Sequence, residues 1–291
     1  MSTCAARVAL AGNPSDGYGG AVVAIPVHDL AAMTSTTEAE QFSVRANDPD
    51  LRRLLEASSE AFDEARGCLP AVTLSASTSI PRSVGLAGSS ALVIATLRGL
   101  AAWTTHRWDP IELAELALAV ERDRLGVIAG LQDRLVQTVG KPVSMTFDPL
   151  GFEELELPDH LRLFVAWTPH GAEPSDTVHR SLRRRFDGGD DDVIGAMRDL
   201  TVQATRARRA IEHGDALLLA EAMDRSFDIR ASIVEIDAAQ RMLVDIGRAE
   251  RAAVNSAGSG GSVVGLAQRD HDIAVLRSSY QSSGFEFLEL D

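Results

Sequence analysis

A glycine- and serine-rich loop followed by an apolar run is the feature that most constrains this chain. Pro81 opens the loop, Gly85 and Gly88 follow, and residues 91–103 form an apolar run without proline. The run predicts a buried helix. Backbone N–H groups at a helix start lack helical partners, and the helix dipole favours an anion there, which glycines let approach closely. The pattern predicts a phosphate-binding loop, but an ordinary capped turn has the same sequence signature.

Composition and charge narrow the class of protein. The chain has 291 residues, a hydrophobic fraction of 45% and a formal net charge of −14. The negative charge argues against nucleic acid or an anionic membrane as the main partner. No apolar stretch approaches the roughly 20 residues that span a bilayer, and the first residues do not resemble a secretion signal. Two cysteines, Cys4 and Cys68, provide no disulfide framework, so a cytoplasmic location is expected.

Lysine content excludes the two best-known kinds of nucleotide site. Lys141 is the only lysine among 28 basic residues. Phosphate-loop NTPases need a lysine directly after a glycine-rich loop, and protein kinases need a strand lysine with a His-Arg-Asp loop. Neither can be assembled from this sequence, so a nucleotide would have to be bound in another way.

Sequence patterns predict a mixed α/β first part followed by an α+β second part. Short apolar or alternating runs predict strands at 7–11, 21–25, 72–76, 143–147, 161–167, 252–256, 262–266 and 285–290. Helical periodicity predicts helices at 51–65 and 91–103, one that starts at 109 and carries Glu121 near its end, before Gly126, and another that follows residues 130–133 and runs through 139. Further helices are predicted at roughly 190–213, 215–230, 235–249 and 271–282. Residues 30–48 are expected to form irregular strands, residues 149–159 an acidic link, and residues 170–187 a polar segment. The link predicts two domains, 1–155 and 156–291.

Three glycine-rich loops, at 12–20, 85–90 and 258–261, resemble those of the GHMP small-molecule kinases, named for galactokinase, homoserine kinase, mevalonate kinase and phosphomevalonate kinase. The central loop resembles the family signature Pro-x3-Gly-Leu-Gly-Ser-Ser-Ala, with Ala87 as one extra residue. The resemblance runs the full length and is closest to the glucuronokinase branch. Motifs shared with that branch are Gly-Asn-Pro-Ser-Asp-x-Tyr at 12–18, Gly-Leu-Gln-Asp-Arg at 130–134, Pro-Ser-Asp at 174–176 and Phe-Asp-Ile-Arg at 227–230.

The resemblance implies an ATP- and Mg²⁺-dependent kinase that phosphorylates a sugar hydroxyl, preferentially the anomeric one, to give a sugar 1-phosphate. It also implies a two-domain GHMP kinase architecture with the active site in the cleft between the domains. The family's first domain contains a left-handed βαβ crossover, an exception to the usual hand. No sequence pattern in the chain indicates that crossover by itself.

The resemblance also implies roles for individual residues. Asp133 would orient or deprotonate the acceptor hydroxyl, and Arg7 would steady the transferring phosphoryl group. Ser90 and Glu121 would hold Mg²⁺. Residue type alone would favour other roles. Asp133 would more often be a helix N-cap, and Glu121 an exposed residue paired with Arg122 or Arg124. Arg7 would more often be solvated. The ATP phosphates would meet Pro81, Gly85, Leu86, Ala87, Gly88, Ser89, Ser90 and Ala91.

Substrate contacts are expected from polar residues on the first loop, from the second domain and from the last loop. They are Asn13, Ser15, Asp16, Tyr18, Asp133, Asp176, Gly258, Ser259, Gly260 and Gly261. A cluster of four arginines at 180–185 would suit a uronate carboxylate, although such clusters are more often solvated faces. Its members are Arg180, Arg183, Arg184 and Arg185.

Several alternatives stay open at this stage. Gly17 and Gly19 make the first loop smaller than expected for the glucuronokinase branch, so another aldose, a heptose or a cyclitol could be the substrate. Mevalonate is disfavoured by the polar first loop. A non-catalytic binding protein on the same fold is the alternative from a different class, and the presence of all four predicted catalytic and metal-binding residues argues against it. A homodimer is compatible with the sequence.

Overall fold

The computed structural model describes residues 1–169, 176–268 and 272–290 of the chain. The strands are β1 (Ser2–Ala11), β2 (Ala21–Glu38), β3 (Ser43–Val44), β4 (Val72–Thr78), β5 (Val143–Phe147), β6 (Leu150–Glu154), β7 (Arg162–Trp167), β8 (Ala253–Ser256), β9 (Ser262–Ala267) and β10 (Glu286–Glu289). The helices are α1 (Pro49–Arg66), α2 (Gly88–Trp103), α3 (Pro110–Ala119), α4 (Gln132–Val139), α5 (Asp176–Asp187), α6 (Asp191–His213), α7 (Ala216–Ile233), α8 (Ala238–Ala249) and α9 (Asp272–Ser282). Together they form an α/β fold.

The chain divides into two compact units that are not continuous in sequence. The first contains Met1–Arg7, Pro26–Ile80 and Ala87–Gly140; the second contains Val8–Ile25, Pro81–Leu86 and Lys141–Asp291. The chain crosses from one unit to the other within β1, within β2, before and after residues 81–86 of the central loop, and after Gly140. The domain boundary between residues 155 and 156 stays a prediction.

The first unit is built around the buried helix α2. In its sheet, β4 pairs antiparallel with residues 32–38 of β2, and β3 runs parallel to β4. Helix α2 has apolar residues on all its faces, and Thr96, one of its few buried polar side chains, shares a 3.2 Å hydrogen bond with Thr34 of β2. The predicted buried helix is therefore confirmed.

Within the described ranges, no helix is both long and apolar enough to cross a membrane.

The second unit contains an antiparallel sheet with the strand order β10-β7-β9-β8. Phe164 of β7 is fully buried, and its ring lies 5.7 Å from that of Tyr280 and 5.1 Å from that of Phe287. The Tyr280 hydroxyl donates to the Leu243 carbonyl oxygen at 2.7 Å, which satisfies it inside the core. Residues 21–24 of β2 pair with β5, and β5 forms a hairpin with β6.

Three elements differ from the sequence predictions. Strand β2 is one strand of 18 residues, and its later half replaces the predicted irregular strands. Strand β6 lies within the predicted acidic link; its acidic residues are exposed while its backbone pairs with β5, so composition hid the strand. Helix α5 occupies the predicted polar segment because Leu182 packs into a core cluster with Leu200 and Ile229, while its arginines lie toward the outside.

Aspartates cap most of the helix starts that the structure describes. The side chains of the five caps accept hydrogen bonds from backbone N–H groups in the first turn; they are Asp48, Asp109, Asp190, Asp215 and Asp237. Helices α2 and α4 start differently, since the described residues provide no side-chain cap for either. Both starts carry residues with predicted catalytic or phosphate-binding roles.

Replacing Gly265 by alanine is expected to destabilise the second unit by about 1–3 kcal/mol. A Cβ atom at Gly265 would lie 2.1 Å from Cζ of the buried Phe164 ring, closer than packing allows. The free energy of unfolding, measured by urea denaturation, checks this. Gly195→Ala is the matched control: a Cβ at that position in helix α6 meets nothing within 4 Å, so a small stabilisation is expected. Equal stability of Gly265→Ala and wild type would contradict the packing described for β7 and β9.

Candidate active site

Asp133 and Arg7, predicted as the base and the charge-stabilising residue, are in direct contact in the first unit. Arg7 lies on β1 and Asp133 in the first turn of α4. Arg7 Nε donates to Asp133 Oδ1 at 2.6 Å, and the two side chains are 4% and 17% exposed. Arg134 Nη1 lies 3.4 Å from the other carboxylate oxygen of Asp133. The carboxylate is thus held between two guanidinium groups.

Glu121 is a buried partner of Arg134. It lies in a π-helical turn, Val120–Arg124, that follows α3, and it is 1% exposed. Arg134 Nε donates to Glu121 Oε2 at 2.6 Å, and Arg134 Nη2 contacts the same oxygen. The alternative of an exposed pair with Arg122 or Arg124 is therefore wrong. Arg124 instead contacts the exposed carboxylates of Glu60 and Glu64 on helix α1.

The predicted Mg²⁺ ligands provide oxygen donors of the kind that Mg²⁺ prefers. Ser90 offers a hydroxyl and Glu121 a carboxylate, and Mg²⁺ in kinases commonly takes one or two such groups together with substrate phosphates. Among the described residues, no group of three or more His, Cys, Asp or Glu side chains gathers to hold a metal without phosphates. The donor set therefore fits Mg²⁺ bound through a nucleotide. Glu121 would have to serve both the metal and Arg134.

Gln137 organises the start of α2, and sequence reasoning did not identify it. Its Nε2 donates to the carbonyl oxygens of Ala87 at 3.0 Å and Ala5 at 2.9 Å. Ser90 Oγ lies 2.6 Å from Gln137 Oε1 and 3.1 Å from the Ala87 oxygen, so its single hydrogen serves one of them at a time. Ala87 adopts a left-handed conformation with φ of 59°, which is uncommon for a residue with a side chain.

The start of α2 has the chemistry of an anion site. Gly88, Ser89, Ser90 and Ala91 form its first turn, and the described residues place no side-chain cap on it. The first N–H groups of a helix and its dipole favour negative charge. Phosphate binding at the start of α2 stays a prediction.

The other part of the central loop lies in the second unit, against the last glycine-rich loop. Gly85 has a φ of 73°, and a Cβ there would lie 2.7 Å from the Gly260 carbonyl oxygen, so glycine is required by both conformation and space. Ser262 Oγ donates to the Val84 carbonyl oxygen at 2.5 Å. Leu86 is fully buried beside them, and Pro81 opens the loop.

Two buried side chains hold the last loop in place. Arg230, the end of the Phe-Asp-Ile-Arg motif, donates to the carbonyl oxygens of Gly258 at 2.7 Å and Ser259 at 3.1 Å. Gln240 Oε1 accepts from the Gly261 N–H at 2.8 Å. Arg230 lies in a motif but had no predicted role, and Gln240 belongs to no motif. The role of each could be recognised only from its position in the structure. These contacts hold the backbone of the last loop at Gly258, Ser259 and Gly261.

The first loop contains both buried and accessible polar residues. Asn13 is buried; its Oδ1 accepts from Asn255 Nδ2 at 3.3 Å, and its Nδ2 lies 3.5 Å from the Ser256 carbonyl oxygen. Ser15 is fully buried and donates to the Ala21 carbonyl oxygen at 2.9 Å. Both side chains stabilise the loop internally, and their sugar contacts stay predictions. Asp16 and Tyr18 are partly exposed on the same loop.

The remaining predicted substrate residue, Asp176, is the first residue of α5, and its side chain lies outside the described part of the chain. Pro174 and Ser175 of the same motif lie outside it too. The arginines of α5 differ in their surroundings. Arg185 donates to Asp190 Oδ2 and to the Ile233 carbonyl oxygen, each at 2.8 Å. Arg183 instead contacts the first loop, through Gly17 and Tyr18.

The sequence and the fold of this chain are similar to those of known kinases. Residues 52–141 match the family model "GHMP kinases N terminal domain". The chain is 34% identical over 226 residues to probable glucuronokinase 2 of Arabidopsis thaliana, covering 73% of this chain and 62% of that protein. It is 28% identical over 321 residues to glucuronokinase 1 of the same plant, covering 96% and 88%. Mevalonate kinase of L. major in complex with R-mevalonate shares the fold with a TM-score of 0.81 at 15% identity, covering 100% of this chain and 95% of that chain.

Residues 52–141 thus match the N-terminal domain of GHMP kinases, and the chain as a whole is similar to glucuronokinases. The family resemblance and the α/β fold class predicted from the sequence are confirmed. The chain spans 62% of the length of the first of the two glucuronokinases.

Proposed function

We propose that this chain is an ATP- and Mg²⁺-dependent sugar kinase that phosphorylates the anomeric hydroxyl of a uronic acid of the glucuronate type. One observation carries the proposal: Arg7, Asp133, Arg134 and Glu121 form a single charged cluster at the start of α4. Buried charged side chains are costly unless they are paired and hydrogen-bonded, and charged clusters of this kind are concentrated at functional sites. The names of the two Arabidopsis relatives support the sugar class.

The cluster suits phosphoryl transfer because this reaction depends on positioning and on charge stabilisation. The sugar hydroxyl oxygen would attack the γ-phosphorus, forming a new O–P bond while the bond to the β-phosphate oxygen breaks and ADP leaves. Asp133 would orient the hydroxyl and accept its proton. Arg7, whose Nε is hydrogen-bonded to Asp133 Oδ1 at 2.6 Å, would stabilise the charge on the moving phosphoryl group. Mg²⁺, when bound, would supply further positive charge on the phosphates.

The remaining roles follow from each element's own chemistry. The phosphates of ATP would be bound by residues Pro81 and Gly85–Ala91 of the central loop, with Ser90 and Glu121 as the protein ligands of Mg²⁺. The sugar would contact the first and last glycine-rich loops through Asp16, Tyr18 and residues 258–261, with Asp176 as a further candidate. We keep two domains, 1–155 and 156–291, and a cytoplasmic location as part of this proposal.

ADP release tests the proposed function directly. The protein would be incubated with Mg²⁺-ATP and glucuronate, galacturonate, galactose, arabinose, a heptose or mevalonate in turn, and ADP would be followed in a coupled assay. Turnover on glucuronate is expected to exceed that on every neutral sugar. Turnover on a neutral sugar alone would retain the kinase mechanism and reject the uronate. ATP binding without transfer to any acceptor would reject the enzyme and favour a binding protein.

A further inference from the structure

Arg183 is attached to the first glycine-rich loop by two different contacts. Its Nη2 donates to the Gly17 carbonyl oxygen, and its guanidinium lies 4.5 Å from the centre of the Tyr18 ring. The Tyr18 ring is itself packed against Phe186, one turn further along α5, with ring centres 4.7 Å apart. These contacts hold the guanidinium over the tyrosine face. The side chain of Arg183 is 50% exposed.

An arginine held in this way is suited to bind a carboxylate. Guanidinium groups carry five donors in a planar fork, and stacking on an aromatic ring fixes that plane while leaving donors at its edge. The Gly17 oxygen takes one donor, and Asp187 lies 3.5 Å from Nη1 in an exposed pair one turn away, which is a weak interaction. Donors therefore remain for a bidentate ligand.

The loop beneath Arg183 is rigid enough to define a position. Ser15 Oγ donates a hydrogen bond to the Ala21 carbonyl oxygen. A Cβ at Gly20 would lie 2.4 Å from both Ser15 Oγ and Thr201 Oγ1, so the loop is packed tightly against α6. Arg185, two residues further along α5, donates to Asp190 Oδ2 and to the Ile233 carbonyl oxygen instead of contacting the first loop. The four arginines predicted as one cluster are thus divided by the structure.

We infer that Arg183, stacked on Tyr18, is a specificity-determining residue that binds the carboxylate of a hexuronic acid. This inference rests on the proposed function, since it assigns the acidic group of the same substrate. Neutral sugars of the same ring size lack the group that would take the two donors. Arg183 would then favour uronates over neutral sugars by forming a charge-assisted, bidentate bond.

Equilibrium binding separates this inference from catalysis. Calorimetry would measure the binding of glucuronate, glucose and glucose 6-phosphate to the full chain and to Arg183→Gln, Arg183→Lys and Arg184→Gln. Arg184 is the matched control because it is exposed, lies on the same helix and changes charge equally. Arg183→Gln is expected to weaken glucuronate binding about 10- to 100-fold, a loss typical of charge-assisted hydrogen bonds, while glucose binding stays as in wild type. Arg183→Lys keeps the charge but loses the planar fork of donors, so its affinity for glucuronate should lie between those of wild type and Arg183→Gln.

The outcomes distinguish the two proposals. Glucuronate affinity that changes equally in Arg183→Gln and Arg184→Gln would overturn the inference, because a general charge effect would explain both. Wild-type binding that favours glucose 6-phosphate over glucuronate would also overturn it, by assigning the arginine to a phosphate. Selective loss of glucuronate binding would support it. Failure of the wild type to transfer phosphate to any sugar, in the ADP assay above, would overturn the proposed function separately.

Discussion

Replacing Asp133 by asparagine is expected to lower turnover by about 100- to 10,000-fold, the usual contribution of a positioned general base. An amide has the shape of the carboxylate, but it cannot accept the hydroxyl proton. It also presents N–H donors to at least one of the two arginines that now donate to Asp133. Nucleotide binding should stay close to that of wild type, because the predicted phosphate-binding residues of the central loop are unchanged. The rate would be measured by ADP release and nucleotide binding by calorimetry.

Asp123→Asn is the control for this experiment. Asp123 is exposed in the π-helical turn of the same unit, so the variant changes the net charge equally without touching the cluster. Its turnover should equal that of wild type. Normal turnover in Asp133→Asn would mean that the base has been assigned to the wrong residue. A lower melting temperature that accounts for the whole loss of activity would point to a structural role instead.

Replacing Arg134 by methionine is expected to destabilise the chain by about 3–5 kcal/mol, because it leaves a buried carboxylate without its partner. Glu121 is 1% exposed and takes two donors from Arg134. Arg134 also donates to the Gly130 carbonyl oxygen at 2.9 Å, at the loop that leads into α4. The free energy of unfolding from urea denaturation checks this value.

Two further variants show whether burial is the cause. Arg124→Met removes an arginine whose partners, Glu60 and Glu64, are 66% and 72% exposed, so a loss of less than about 1 kcal/mol is expected. The double variant Arg134→Met with Glu121→Leu removes both buried charges and should be more stable than Arg134→Met alone. Equal losses for Arg134→Met and Arg124→Met would contradict the buried pair.

Much of the fold could be predicted because the sequence carries strong local signals. The apolar run of α2 and the helical periodicity of α3 and α6 mark their helices directly. Strand β6 and helix α5 could not be predicted from composition, because their charged side chains face solvent while their backbone or apolar side is held by neighbours. Tertiary contacts outweighed local composition at both places.

The candidate site shows the same division. Asp133, Arg7 and Glu121 stand out through the family resemblance, and the structure brings them into one charged cluster with Arg134. Gln137, Arg230 and Gln240 act on backbone carbonyl and N–H groups of the loops, and such contacts depend on backbone positions that no spacing rule encodes. Gln132 precedes Asp133 in the chain, and its buried Oε1 has no hydrogen-bond partner among the described residues. No sequence pattern indicates this either.

The most direct test of the central claim is the identity of the product. Wild-type protein with Mg²⁺-ATP and glucuronate would be followed by ³¹P nuclear magnetic resonance, together with an assay for the reducing end of the sugar. The proposed function predicts a new sugar 1-phosphate signal that grows with ADP, and a matching loss of the reducing end. A phosphate on another hydroxyl, with the reducing end retained, would contradict phosphorylation at the anomeric position. Formation of ADP without any phosphorylated sugar would contradict the kinase itself.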